Sequence, residues 1–352
     1  MATWFLFGKL FGVTTLFGFG EKRCRKNLPL AARSLLKFVP ITDFHGISRG
    51  VVFNDVDPSF LDEHHDLGVG WTLRPASPDE LSDTQITRSL ETWSSRRGGF
   101  GVPANRLLRG EVLPWTDARV LVVEAADDVA IGPWSLNQAF AISDSEMRIG
   151  HFFGDAGSSM PWMSLTGFRV RNDLGAVFDD CPRPAKEHLD DLRETLAVRA
   201  AEPPENVTRA INLFLSLDRL PDNSVMKQLG YFTVVESLLS HAPSDNDRAD
   251  SIRRQLERNL VLIDHRLMHT GREIGFGDFG GANPDTVLGK LYSYRSAIAH
   301  GSSLKKPIEQ IKKLMTETPT STFLWLHDWL RRMVRRVLFA ALREPELITD
   351  LK

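Results

Sequence analysis

Between residues 206 and 342 the chain places apolar residues three and four positions apart in five separate stretches, a spacing that admits little besides helices sharing one core. Asn206 to Leu217 carries Val207, Ala210, Ile211, Phe214 and Leu215 on one stripe. Asp222 to His241 carries Val225, Leu229, Phe232, Val235 and Leu239, and Arg248 to Arg266 carries Ile252, Leu256, Leu260 and Ile263. Asp285 to Ala299 carries Leu288, Leu291, Tyr294 and Ile298, and Thr320 to Leu342 carries Phe323, Leu326, Leu330, Val334 and Val337. Five such helices on short connections predict a bundle. The interruption is Gly271 to Asn283, whose Gly275, Gly277, Gly280 and Gly281 read as a flexible loop ahead of the fourth helix.

Upstream the texture differs. Residues 1–180 are rich in Gly, Pro, Trp and Phe, with short apolar runs between turn signals. Gly50 to Phe53, Val69 to Leu73, Arg119 to Glu124 and Gly167 to Arg171 read as strands. One helix is predicted from Pro78 to Trp93, with Ser77 as its cap, and another over residues 185–200. Two prolines in Ala200-Ala-Glu-Pro-Pro-Glu205 mark a linker. The expected fold class is therefore an α+β two-domain chain. Residues 1–195 form a β-rich or α+β domain, 196–205 a linker and 206–345 an all-α helical bundle.

Composition narrows the partners. A net charge of −2 excludes a polybasic nucleic-acid binder, although the C-terminal half is slightly basic. Cys24 and Cys181 are too few for a disulfide framework and read as unpaired thiols in a reducing cytoplasm. The apolar start, Met1 to Gly20, is split by Lys9 and by glycines; it reads as buried β structure, with a membrane-associated segment as the alternative. No other stretch is apolar for long enough to span a membrane, so a cytoplasmic protein without a membrane partner is expected.

The chemistry-bearing stretch is Leu291-Tyr-Ser-Tyr-Arg295-Ser-Ala-Ile-Ala-His300-Gly301. Arg295 is a permanent cation able to grip a phosphate through two parallel hydrogen bonds. His300 can carry a proton near neutral pH. An unbroken helix would set the two about 140° apart. Gly301 offers a left-handed turn at the helix end that frees His300 from that geometry. By spacing alone the pair reads first as a surface arginine and a helix-terminal histidine, because Arg-x4-His is a short, common pattern. Glu236, inside the apolar run Val234-Val-Glu236-Ser-Leu-Leu239, would need a cation if buried, and Arg295 is a candidate; a stripe-edge glutamate reaching solvent is the alternative.

With these residues the C-terminal part, about 205–345, resembles HEPN domains, specifically the ApeA-like HEPN group of prokaryotic ribonucleases. That family carries an Arg-x4-6-His motif in a helical bundle, often followed by Gly, and an earlier helix with a Glu in an apolar run. Arg295 and His300 match the motif, Glu236 matches the earlier element, and Ser296 stands where the family often has a polar residue. The resemblance implies a homodimer whose two motifs share a cleft and cut RNA without metal or other cofactor, as in anti-phage abortive infection. It implies a sensing role for residues 1–195, with an unknown trigger. Many relatives are inactive scaffolds, so a non-catalytic dimerisation or partner-binding module is the second expectation. A tyrosine two residues after the histidine, found in relatives regulated by nucleotidyl transfer, is here Ser302.

Other features are weaker. Arg331, Arg332, Arg335 and Arg336 on the last helix, extended by Lys305, Lys306, Lys312 and Lys313, read either as a solvated face or as an RNA-binding rim. His265 and His269 stand four apart without a third ligand, and His64-His65 lies in an acidic loop; neither predicts a metal site. Gly98 to Gly101 and Gly275 to Gly281 lack the context of a phosphate loop, and the second is expected as a mobile lip beside the Arg/His pair.

Overall fold

The computed structural model describes residues 47–53, 63–77, 80, 121–126, 129–145, 147–154, 159–160, 186–218, 220–221, 223–241, 251–316 and 319–351. The expectations for Met1 to Gly20, Cys24, Cys181, Gly98 to Gly101 and the strand at 167–171 lie outside these residues, as does most of the helix expected from Pro78. Chain contacts divide the molecule into residues 1–43 and 44–352, and everything described belongs to the second unit. The described residues are mostly helical and include one antiparallel sheet.

Strands β1 (Ile47–Phe53), β2 (His65–Asp66), β3 (Trp71–Pro75), β4 (Leu121–Ala125), β5 (Arg148–Gly154) and β6 (Ser159–Met160) form the sheet, in the order β2-β3-β4-β1-β5-β6. In β3 the alternation of a half-covered strand places Trp71 and Leu73 inward, with Leu73 opposite Val123 of β4. Helices α1 (Pro133–Ile142) and α2 (Lys186–Arg199) cover this face. Leu136 and Phe140 of α1 and Leu189, Leu192 and Leu196 of α2 complete a core with Trp71, Leu73, Leu121 and Val123. Ser77 begins a capping box: its Oγ accepts from the backbone N–H of Glu80 at 3.2 Å while its own N–H reaches the Glu80 carboxylate at 2.8 Å.

After a link at residues 200–204 the chain is helical: α3 (Glu205–Leu217), α4 (Val225–Leu239), α5 (Ile252–Leu267), α6 (Pro284–Ala299), α7 (Lys305–Lys312), α8 (Thr322–Arg343) and α9 (Pro345–Asp350). The five expected helices are present; α1, α7 and α9 were not anticipated. Helix α8 is the axis, burying Trp329, Leu330, Met333, Val334, Val337 and Leu338 against α3, α4 and α5. At the α3–α4 crossing the approach is close at Gly230, where a Cβ would stand 2.3 Å from Leu217 Cδ2 and would require that side chain to move. Helices α4 and α6 share a polar contact inside the core. Tyr294 Oη donates to Gln228 Oε1 at 2.6 Å, and Gln228 Nε2 donates to the Phe323 carbonyl at 3.2 Å. Burial pushes the Tyr294 hydroxyl well above the ordinary tyrosine value, so it remains a neutral donor.

The glycine-rich stretch before α6 is packed rather than loose. Phe276 and Phe279 lie in a short 3-10 turn, with Phe279 edge-on to Trp325 at 5.3 Å and to Trp329 at 5.0 Å between ring centroids. Trp329 Nε1 donates to the Gly275 carbonyl at 3.1 Å, and Asp278 pairs with Arg332. The sequence suggested mobility because glycine permits left-handed backbone, which Gly275, Gly280 and Gly281 do adopt; the two phenylalanines between them supply the anchoring.

Replacing Tyr294 by Phe leaves the buried Gln228 carbonyl without its donor. Tyr294→Phe is expected to lower stability by about 1–3 kcal/mol, read as a lower urea midpoint at unchanged slope; an unaltered midpoint would show that the contact contributes nothing.

Candidate functional site

Helix α6 starts where the Asn283 side chain accepts from the Asp285 N–H at 2.9 Å, with Pro284 in the first turn. Its inner face is Val287, Leu288, Leu291 and Tyr294. Arg295, one step beyond Tyr294, lies at the edge of that face and is half-buried. Glu236 approaches from α4. Arg295 Nε donates to Glu236 Oε1 at 2.9 Å and Nη2 to Oε2 at 2.9 Å, a two-point fork. The arginine side chain keeps 25% of its exposure and the glutamate 14%, so the pair sits at the rim of the core. The hydrogen bond to Glu236 pushes the guanidinium further above its already high value, and burial acts in the opposite direction. The Arg295 guanidinium carbon stands 5.7 Å from the centroid of the Tyr292 ring.

His300 is the C-cap of α6 and is exposed. Gly301 is left-handed at φ +62°. The Gly301 N–H reaches the Ile298 carbonyl at 3.1 Å and the Ser302 N–H reaches the Ala297 carbonyl at 2.8 Å, the two bonds of a Schellman ending. The helix thus stops at His300, as the glycine implied, and the imidazole stands at the end of the helix rather than along its side. Ser296 is half-buried, and its carbonyl accepts from the His300 N–H at 3.0 Å. Lys305 and Lys306 are exposed in the first turn of α7, which follows His300 directly, and Lys312 and Lys313 are exposed at its end.

Three sequence expectations change here. Arg331 and Arg335 are buried, at 5% and 3% exposure, because they lie on the side of α8 covered by other elements; neither belongs to an RNA-binding rim. Arg332 and Arg336 are partly covered and paired, with Asp278 and Asp144 respectively, so they are not an open cationic face. Burial holds the Arg336 guanidinium below its ordinary value, against the pull of Asp144. The glycine-rich loop is no lip on the site: it precedes Pro284, and a helix of sixteen residues, roughly 24 Å long, separates it from His300. His265 and His269 are both exposed, and among the described residues no group of three His, Cys, Asp or Glu could hold a metal ion. No helix among the described residues is long and apolar enough to cross a membrane.

The arrangement offers a fixed guanidinium at the core edge, an exposed imidazole past the next turn, and a lysine-bearing helix beyond. The pairing uses the Nε and Nη2 edge of Arg295. Comparison with protein-family models, with curated proteins and with solved structures finds no match for this chain.

An added Cβ at Gly301 would touch nothing within 4 Å, so its cost is purely conformational. Gly301→Ala is expected to destabilise by about 1–2 kcal/mol, and Gly301→Asn by less, in thermal unfolding; equal losses for the two would show that the left-handed turn is not what matters.

Proposed function

We propose that the chain is an endoribonuclease of HEPN type, working without a metal, with Arg295 and His300 as its catalytic pair. The observation that carries this reading is the Glu236–Arg295 fork at 2.9 Å and 2.9 Å, set one helical turn ahead of a histidine that terminates the same helix in solvent. A guanidinium already held in one rotamer loses little entropy when it receives an anion. In the proposed reaction the 2′-hydroxyl of RNA attacks the adjacent phosphorus and the bond to the 5′-oxygen breaks, leaving a 2′,3′-cyclic phosphate and a 5′-hydroxyl. Arg295 stabilises the charge that develops on the non-bridging oxygens. His300 takes or returns the proton exchanged between the attacking and leaving oxygens. Ser296 supports the turn that presents His300, and Lys305 and Lys306 supply phosphate contacts along the strand.

The resemblance extends this to a homodimer whose two pairs share one cleft, and to a cytoplasmic defence effector held in check by the N-terminal part of the chain. A second reading has one observation in its favour. A forked arginine–glutamate pair at a core edge is also what a purely structural salt bridge looks like, and the bundle would then be a dimerisation or partner-binding module.

The two readings part in one experiment: purified protein with RNA in EDTA, comparing wild type, Arg295→Ala and His300→Ala. The nuclease reading expects cyclic-phosphate ends from wild type and a fall of about 100- to 10,000-fold in either variant. Unchanged cleavage in both folded variants would remove the pair from the mechanism.

A further inference from the structure

A second set of charges lies deeper than the candidate site, where α1 and α2 meet the bundle. Arg272, just after α5, keeps only 6% of its side-chain exposure. Its Nη2 donates to the Asp191 carbonyl at 2.8 Å and lies 2.8 Å from Asp191 Oδ1 and 3.2 Å from Glu194 Oε2, while Nη1 reaches Thr195 Oγ1 at 3.2 Å. The guanidinium carbon stacks 3.6 Å from the centroid of Phe339 on α8. From α8 itself, Arg335 Nε donates to the Ala141 carbonyl at 3.1 Å and Arg336 Nη2 stands 3.6 Å from Asp144 Oδ2. The Asp144 N–H closes the circuit by donating to Asp191 Oδ2 at 2.7 Å.

Such a joint is an expensive way to glue two layers. Buried ion pairs gain little over well-packed apolar groups, yet breaking one partner away costs heavily. What the ionic joint adds to the apolar contacts of Ala141 and Ile142 with the bundle core is linkage, because one guanidinium, carried on the segment after α5, meets α2 and Phe339 of α8 at once. Its central residue also leads into the site helix. From Arg272 the chain runs through Ile274, whose N–H is bound to Asp264 of α5 at 2.5 Å, and through the anchored Phe276 and Phe279 to the Asn283 cap of α6.

We infer that this joint is a latch through which the sheet-bearing layer controls α6. Closed, Arg272 ties the head of the strap 271–283 to α2, adding to the anchors at Ile274, Gly275 and Phe279 that hold it to α5 and α8; open, it releases α2 and loosens the strap that leads into α6. The control sense rests on the reading of Arg295 and His300 given above, whereas the latch itself does not.

Hydrogen exchange on the full chain tests it, comparing wild type with Arg272→Met, which keeps the length over Phe339 and removes the charge. The expected result is exchange faster by about tenfold in both 187–199 and 284–299, with 225–239 as protected as in wild type. Faster exchange confined to 271–275 would overturn the latch. If Arg272→Met does not fold, Arg272→Lys, which keeps the charge and loses the fork, carries the same test. RNA cleavage by the same proteins separates the two layers of argument. No cleavage by either wild type or the variant, with both regions loosened in the variant, sinks the nuclease reading and leaves the latch. Robust cleavage that is equal in wild type and variant, with both regions loosened, removes the control sense.

Discussion

Helix α8 must bury a polar stripe in order to serve as the axis of the bundle. His327, Arg331 and Arg335 recur every four residues, so they share one side of the helix, and all three are buried. The apolar residues between them face α3, α4 and α5. The stripe is met from two sides: His327 packs on Tyr231 of α4 at 5.4 Å between ring centroids, while Arg335 meets the Ala141 carbonyl at the end of α1 and the Asp144 carboxylate in the turn after it. The seating of α1 on the bundle thus combines polar contact with apolar area. Helix α1 serves both sides, with Leu136 and Phe140 in the sheet core and Ala141 and Ile142 in the bundle core.

The loop before α6 is held on the same principle, by groups that cannot be left alone. Arg272 is buried and must be paired. The Trp329 indole N–H is covered and finds the Gly275 carbonyl. Ile274, Phe276 and Phe279 bring the apolar area. A segment with left-handed residues at Gly271, Gly275, Gly280 and Gly281 is thereby fixed at several points, and it delivers α6 at a set angle. Position at the far end of α6, where Arg295 and His300 stand, inherits that angle.

The bundle was legible in the sequence because α3, α5 and α8 each show an apolar stripe to one core; in α4 the expected Val225 and Leu229 are only partly buried, while Tyr231, Val234 and Leu238 are enclosed. Helix α1 was not legible: Pro133 to Ile142 is buried on most sides, and its apolar run carries no helical signature that separates it from a strand. Helices α7 and α9 are short, start at or near prolines, and bury little more than Ile311 and Ile348 respectively. The arginines of α8 misled for a related reason. Periodicity places them together on a face, but only tertiary packing decides whether water or a carboxylate covers it. The Glu236–Arg295 contact was legible for the opposite reason: a carboxylate inside an apolar stripe demands a cation, and few lie within reach. The αL turn at Gly301 was legible because a glycine after a helical run has a conformational meaning of its own.

The two ionic clusters differ in what they can do. In the interior joint, Arg272 and Arg335 are almost wholly enclosed and cannot exchange a partner for a solute without the layers parting. At the edge of α6, Arg295 retains a quarter of its exposure, and the fork to Glu236 engages one edge of the guanidinium. Charge pairing at a rim is weak enough to be shared with an incoming anion and strong enough to hold a rotamer. Fixed-but-reachable is the condition that electrostatic stabilisation of a transition state requires, since a donor that must reorganise during the reaction forfeits its gain. A buried arginine meets the first half of that condition and a free surface arginine the second. Among the arginines singled out from the sequence as possible site residues, Arg331 and Arg335 are enclosed, and Arg332 and Arg336 are tied to Asp278 and Asp144, away from the His300 end of α6. Arg295 combines a fixed fork with open access, and it does so on the helix whose last residue is an exposed histidine.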